Sequence, residues 1–246
     1  MLLLGAAALV GATVQSATGF GFALVLSPAL LGLLEPHEAV LTMLALATVL
    51  NALVLFESGR PNQVDWRRLG PLLAAAIPGL AAGALLLAVL SKEVLQVAVG
   101  VAVIAAGLWQ LRVRRAGAHA RRALPRGSEL AAGFASGTLT TSLSVSGPPL
   151  ALWLEARGVR PVEFRQTLAA AFLLLSVAGG AIVVTAEGTG PLEADVVFPL
   201  LVCMLAGYAL GAVAFRHIAT ERFFVLALLL VIATGVASVL AGAVAI

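Results

Sequence analysis

Two short stretches of this chain gather neutral hydrogen-bonding groups inside otherwise apolar sequence. One is Gln15-Ser16-Ala17-Thr18-Gly19-Phe20-Gly21; the other runs from Thr138 through Thr140, Thr141, Ser142, Ser144 and Ser146 to Gly147-Pro148-Pro149. Hydroxyls, a side-chain amide and backbone N–H groups freed beside glycine are donors without charge. Set at helix starts, where unpaired N–H groups and positive potential coincide, such donors can hold a small oxyanion without a buried lysine. The candidate binding residues are therefore Gln15, Ser16, Thr18, Gly19, Thr140, Thr141, Ser142, Ser144, Ser146 and Gly147. Nucleophilic catalysis would also need a base beside a hydroxyl. No Lys, Arg, Asp, Glu or His falls within the apolar runs, so catalysis is not expected. The competing reading of the same small residues is close helix packing, and Gly79-x-x-x-Gly83 and Gly207-x-x-x-Gly211 are assigned to that role.

The elements that must position these stretches belong to a bilayer. Hydrophobic residues are 61% of the 246, charged residues 11%, and mean hydropathy is +1.07; a soluble domain carries about twice that charge fraction. Six uncharged runs have the length of one membrane helix: 39–56, 70–90, 94–111, 166–186, 196–215 and 223–246. The two runs that carry the polar stretches differ. Residues 2–34 would make a continuous helix of about 50 Å and residues 130–154 one of about 38 Å, against a hydrocarbon core of about 30 Å. Both are interrupted near the middle, which predicts broken re-entrant hairpins.

Charge supports that reading. If every run crossed once, nine basic residues would fall on one side and six on the other. If the two long runs return to the face they came from, 14 of the 15 basic residues share one side and only Lys92 lies opposite. A cytoplasmic face is expected to look like this. Both termini are then periplasmic.

The chain also repeats itself. Residues 71–107 match residues 199–235 at a constant offset of 128 with 13 identities, where about four would arise by chance. Upstream, Gly11 aligns with Gly133, Ser27-Pro28 resembles Pro148-Pro149, Pro36-x-Glu38 matches Pro161-x-Glu163, and Thr42 and Asn51 align with Thr167 and Ser176. The expectation is an all-α membrane protein built as an inverted repeat, each half a broken hairpin plus three transmembrane helices. The first repeat covers 1–111 (hairpin 2–34), the second 128–246 (hairpin 130–154), with a basic cytoplasmic linker at 112–127. Three crossings per half turn the second copy upside down, so the polar breaks meet near the midplane.

The remaining candidates weigh less. His37, His119 and His217 read as surface histidines, and no metal or other cofactor is expected. Cys203 reads as a packed small hydrophobe. Trp66, Trp109 and Trp153 lie near segment ends, as interfacial anchors do. Asn51 and Ser176 fit either a cavity wall or interhelical hydrogen bonding. The six linker arginines read as topology rather than as a nucleic-acid site. The expected partners are a small anionic substrate and membrane lipid, with no nucleic acid, and a homodimer is compatible with the chain.

Gly11-x-x-x-Gln15-Ser16-Ala17-Thr18-Gly19-Phe20-Gly21, together with Gly133-x-x-x-Gly137 running to Ser146-Gly147-Pro148-Pro149, resembles the paired signatures of the TauE/SafE-type sulfite exporter family over nearly the whole chain. The resemblance implies a bacterial inner-membrane permease moving sulfite, sulfonates or related sulfur oxyanions, commonly outward. Ser142, Ser144 and Ser146 depart from the glycine-richer pattern of many relatives, which bears on the particular anion. An anion channel of the same architecture, or a permease for another small organic anion, is the alternative. No Gly-x-x-x-x-Gly-Lys-Ser/Thr motif is present, so export would be driven by the membrane potential, worth about 2.3 kcal/mol per charge per 100 mV.

Overall fold

The computed structural model describes residues 1–57, 64–115, 125, 127–187, 194–217 and 220–245. Among them the chain is all helical, with ten helices and no strand: α1 (Leu2–Thr18), α2 (Phe22–Leu33), α3 (Pro36–Glu57), α4 (Trp66–Val89), α5 (Lys92–Arg115), α6 (Ser128–Leu143), α7 (Gly147–Ala156), α8 (Pro161–Glu187), α9 (Ala194–His217) and α10 (Thr220–Ala245). Five are long and apolar enough to cross a membrane: α3, α4, α5 over Lys92–Trp109, α8 over Val162–Ala186 and α9 over Asp195–Val213. The sixth expected span, 223–246, falls on α10, whose described apolar stretch is Ile232–Val244. α5 continues to Arg115, into the segment expected as linker at 112–127; residues 116–124 and 126, with His119, lie outside the described residues.

Both long runs break where their sequences predict. α1 ends on Gly19, whose φ of 88° is left-handed and whose N–H donates to Gln15 O at 2.8 Å. Gly21 follows at φ 125°, and the chain restarts as α2. A side chain at either position would be strained, so glycine lets the chain turn within three residues. α6 ends on Ser144, also left-handed at φ 57°, with its N–H on Thr140 O at 3.0 Å. α7 then opens with Gly147-Pro148-Pro149 in its first turn, where proline's missing N–H costs nothing. α1 packs on α2, and α6 on α7.

The two halves interlock reciprocally. α1 lies along α9 and α6 along α4, while α3 packs on α8 and α5 on α10. Glycines set the close approaches, as the packing assignment expected. A Cβ added to Gly79 would sit 2.2 Å from Phe134 O, and one added to Gly207 would sit 2.1 Å from Leu9 O. One added to Gly83 would meet Thr138 O at 2.2 Å, and one added to Gly211 would meet Thr13 O at 2.6 Å. Without a hydrophobic drive between helices in lipid, this backbone proximity supplies the packing.

Leu9 and Phe134, Thr13 and Thr138, and the two caps Gly19 and Ser144 are each 125 residues apart. Gly11 faces Phe22, whereas Gly133 faces Leu72 of α4. Pro28 lies inside α2, while Pro148 and Pro149 open α7.

Candidate functional site

The two breaks border one cavity. Its wall combines Gln15 of α1, the break residues Phe20 and Gly21, the first turn of α2 (Phe22, Ala23, Leu24), Thr140 of α6, and Ser144, Val145, Ser146 and Gly147 at the second break. Met43, Leu44, Ala47 and Asn51 of α3 and Phe172 and Ser176 of α8 close it. The space open to the centre of a water-sized sphere is about 30 Å³. At roughly 10–15 Å³ per water, that suits two waters or one small anion. No ionisable side chain lines the wall.

Two helices, α2 and α7, begin at this wall, and neither has a capping side chain at its N-cap residue. Within α2 the N–H groups of Leu24 and Val25 return to Gly21 O at 3.1 and 3.3 Å, and Phe22 N–H donates to Gln15 Oε1 at 3.1 Å. The Ala23 N–H is left without an acceptor among the described residues, as are those of Ser146 and Gly147 at α7. Free N–H groups at helix starts attract an anion by hydrogen bonding and by helix dipole together.

Gln15 is the hinge of a short relay. Its Nε2 donates to Asn51 Oδ1 at 2.8 Å, and Asn51 Nδ2 donates to Ala47 O at 2.7 Å. At the 125-residue spacing the opposite wall carries Thr140 for Gln15 and Ser176 for Asn51. Thr140 Oγ1 donates to Ser136 O at 2.6 Å, and Ser176 Oγ donates to Leu173 O at 3.0 Å while accepting from Thr48 at 2.9 Å. The first half thus contributes amides and the second hydroxyls. Ser27 Oγ of α2 joins the two broken segments by donating to Leu143 O at 2.6 Å, satisfying a carbonyl of the last turn of α6.

Of the ten candidates read from the sequence, Gln15, Thr140, Ser144, Ser146 and Gly147 line the cavity. Ser16, Gly19, Thr141 and Ser142 lie elsewhere. Ser16 faces α9, where a Cβ on Gly211 would come within 2.8 Å of Ser16 Cβ. Thr141 faces α4 and donates to Leu80 O at 2.7 Å. Ser142 folds back on Thr138 O at 2.7 Å. Gly19 caps α1 against Arg165, where a Cβ on the glycine would sit 3.0 Å from Arg165 Cγ. The side chain of Thr18 lies outside the described residues. Asn51 and Ser176, paired by the repeat, belong to the wall and also make the hydrogen bonds of the competing reading. The aromatic wall residues Phe20, Phe22 and Phe172 carried no signal beyond position.

Two secondary readings change. His37 is half-buried at the start of α3 rather than on the surface, and His217 ends α9 with its side chain outside the described residues. Trp153 is buried, its Nε1 donating to Ser128 Oγ at 3.1 Å beneath the Arg157 guanidinium. Only Trp66 is an exposed tryptophan among the described residues. Cys203 packs against Gly5, as a small hydrophobe would.

Multi-pass helices broken around an uncharged cavity define a membrane transport protein of the discontinuous-helix kind. The family model described as "Sulfite exporter TauE/SafE" matches residues 3–238, and the chain belongs to that family. It is similar to a curated protein of Cupriavidus necator named "Probable sulfite/organosulfonate exporter TauE", at 28% identity over 227 residues, covering 90% of this chain and 84% of the relative. No solved structure matches the chain significantly.

Proposed function

We propose that the protein is a permease exporting a small sulfur oxyanion, with the cavity between the two helix breaks as its substrate site. The observation that carries this reading is that α2 and α7 both start on one wall free of ionisable side chains, with the N–H groups of Ala23, Ser146 and Gly147 left over there. Membership of a sulfite exporter family agrees with that chemistry, and the name of the Cupriavidus relative supplies sulfite and organosulfonates as the cargo class.

In this reading α1–α2 and α6–α7 are re-entrant hairpins entering from opposite faces, and residues 1–111 and 128–246 are inverted copies. The reciprocal pairing of α1 with α9 and α6 with α4 supports it. Gln15, Asn51, Thr140, Ser144, Ser146 and Gly147 surround the anion. The basic loops face the cytoplasm of a bacterial inner membrane, with both termini periplasmic. A negative interior then favours outward movement of an anion without a nucleotide-hydrolysing partner.

The test uses purified protein and everted vesicles. Among sulfite, sulfate, thiosulfate, taurine and sulfoacetate, a sulfur oxyanion should raise the melting temperature, and the same compound should accumulate in vesicles with saturation and counterflow. Absence of both for all five compounds would reject the reading. Uptake without counterflow would indicate a channel.

A further inference from the structure

The surroundings of the two helix breaks are chemically unequal, and the α1 break has a cation against it. Arg165, in the first turns of α8, lies against the α1 break, and its Nη2 pairs with Glu57 Oε2 of α3 at 2.8 Å. The two side chains are only 24% and 28% exposed. Arg165 Nε is buried with no hydrogen-bond partner among the described residues. Phe172 and Ser176, seven and eleven residues further on, lie on the same stripe of α8 and line the cavity. Phe20, next in sequence to Gly19, lines the cavity. Phe20 and Phe172 both lie within about 4 Å of the Cβ position of Gly147, the first residue of α7.

At the other end, the 125-residue spacing puts Val40 in place of Arg165, Val145 in place of Phe20 and Ala47 in place of Phe172. Ser144 Oγ approaches Val40 O at 3.5 Å, just as Gly19 abuts Arg165. The ion pair nearest in sequence to Val40, Lys92 with Glu35, has a 73% exposed carboxylate, unlike the largely buried Arg165–Glu57 pair.

Resting on the permease reading, we infer that Arg165 is a specificity-determining residue that receives the anion at one end of the cavity, and that Glu57 is the internal carboxylate the anion displaces. A guanidinium offers a planar fork matched to an oxyanion, and its unpartnered Nε–H is a ready donor. Glu57 keeps the fork neutralised while no anion is present, so the charge is not left unpaired in a largely buried place. Near Glu57, the Tyr208 hydroxyl of α9 donates to Leu53 O, one helical turn earlier on α3, at 3.4 Å. Phe20 and Phe172 line the cavity next to this break, and in this reading the anion passes them on its way in from Arg165. Arg165 lies with the basic loops, which makes this the cytoplasmic end and gives the exporter a loading side that its near-symmetric halves would otherwise lack.

Labelled sulfite uptake into everted vesicles, read as KM and maximal rate, tests the inference. Loss of a charge-assisted hydrogen bond weakens binding by about ten- to a hundred-fold, so Arg165→Gln should raise KM by that factor and Arg165→Lys should recover part of it. Glu57→Gln removes the competitor and should lower KM several-fold. A purely structural ion pair predicts the opposite of this split, with both variants impaired in the same direction. A KM that rises or stays unchanged in Glu57→Gln overturns the inference even if Arg165→Gln fails to accumulate in membranes. Failure of the parent protein to take up sulfite would instead reject the permease reading itself.

Discussion

Gln15→Glu is a nearly isosteric change that places one negative charge on the wall of the cavity. The fold tolerates it: the new carboxylate still accepts from Phe22 N–H, now with charge assistance, and Asn51 can turn its amide to donate where it accepted at 2.8 Å, giving up only its side-chain bond to Ala47 O. Anion binding does not survive it. Two unit charges about 4 Å apart at an effective dielectric constant near 20 repel by about 4 kcal/mol, which is a factor of about 10³ in affinity. Sulfite uptake and sulfite-dependent thermal stabilisation should both collapse at pH 8, while the melting temperature of the anion-free protein stays within a few degrees. Protonation of the introduced carboxylate at lower pH removes the repelling charge. Acidification should therefore restore uptake relative to the parent measured at the same pH. Unchanged sulfite affinity at pH 8 would refute the placement of the anion in this cavity.

Four further outcomes follow from the same geometry. In Gly83→Ala the new Cβ meets Thr138 O and Thr141 Oγ1 at 2.2 Å, so α4 and α6 must separate by about 1 Å; thermal melting should show a loss of about 1–3 kcal/mol or more, whereas Gly180→Ala, with open space around its Cβ, should be neutral or stabilising. Ser16→Ala and Thr141→Val should leave sulfite affinity within about twofold, with Thr141→Val losing roughly 1 kcal/mol of stability as the bond to Leu80 O disappears. Ser144→Gly relieves a left-handed φ of 57° and should hold or raise stability by up to about 1 kcal/mol, yet weaken sulfite uptake because a wall hydroxyl is gone. For orientation, a single cysteine at Ala118 should be labelled only when the cytoplasmic face is open to reagent and one at Gly188 from outside; the reverse pattern would invert the topology.

Much of this architecture was legible one residue at a time. Hydropathy is a local property, so runs of about 20 apolar residues identified the spans, and a run too long for the bilayer with glycine and serine at its centre identified each broken helix. The break at Gly19–Gly21 follows from glycine's backbone freedom alone, whereas Ser144 is held left-handed against its own preference. The repeat pointed to Asn51 and Ser176 before any contact between their helices was known. What local sequence did not carry was rotation. Gln15 and Ser16 are adjacent, as are Thr140 and Thr141, and about 100° of helix turn separates each pair. Gln15 and Thr140 reach the cavity because Ser16 and Thr141 are pressed against Gly211 of α9 and Gly83 of α4. Polar side chains of similar chemistry thus divide between binding and packing according to which neighbour the glycine grooves admit. The pairing of Arg165 with Glu57, 108 residues apart, likewise exists only once α3, α8 and the α1 break are assembled. The chain's composition and spacing determined that broken helices with neutral donors would sit in a membrane; the packing of helices from opposite halves decided which of those donors share a cavity and which end of it bears a charge.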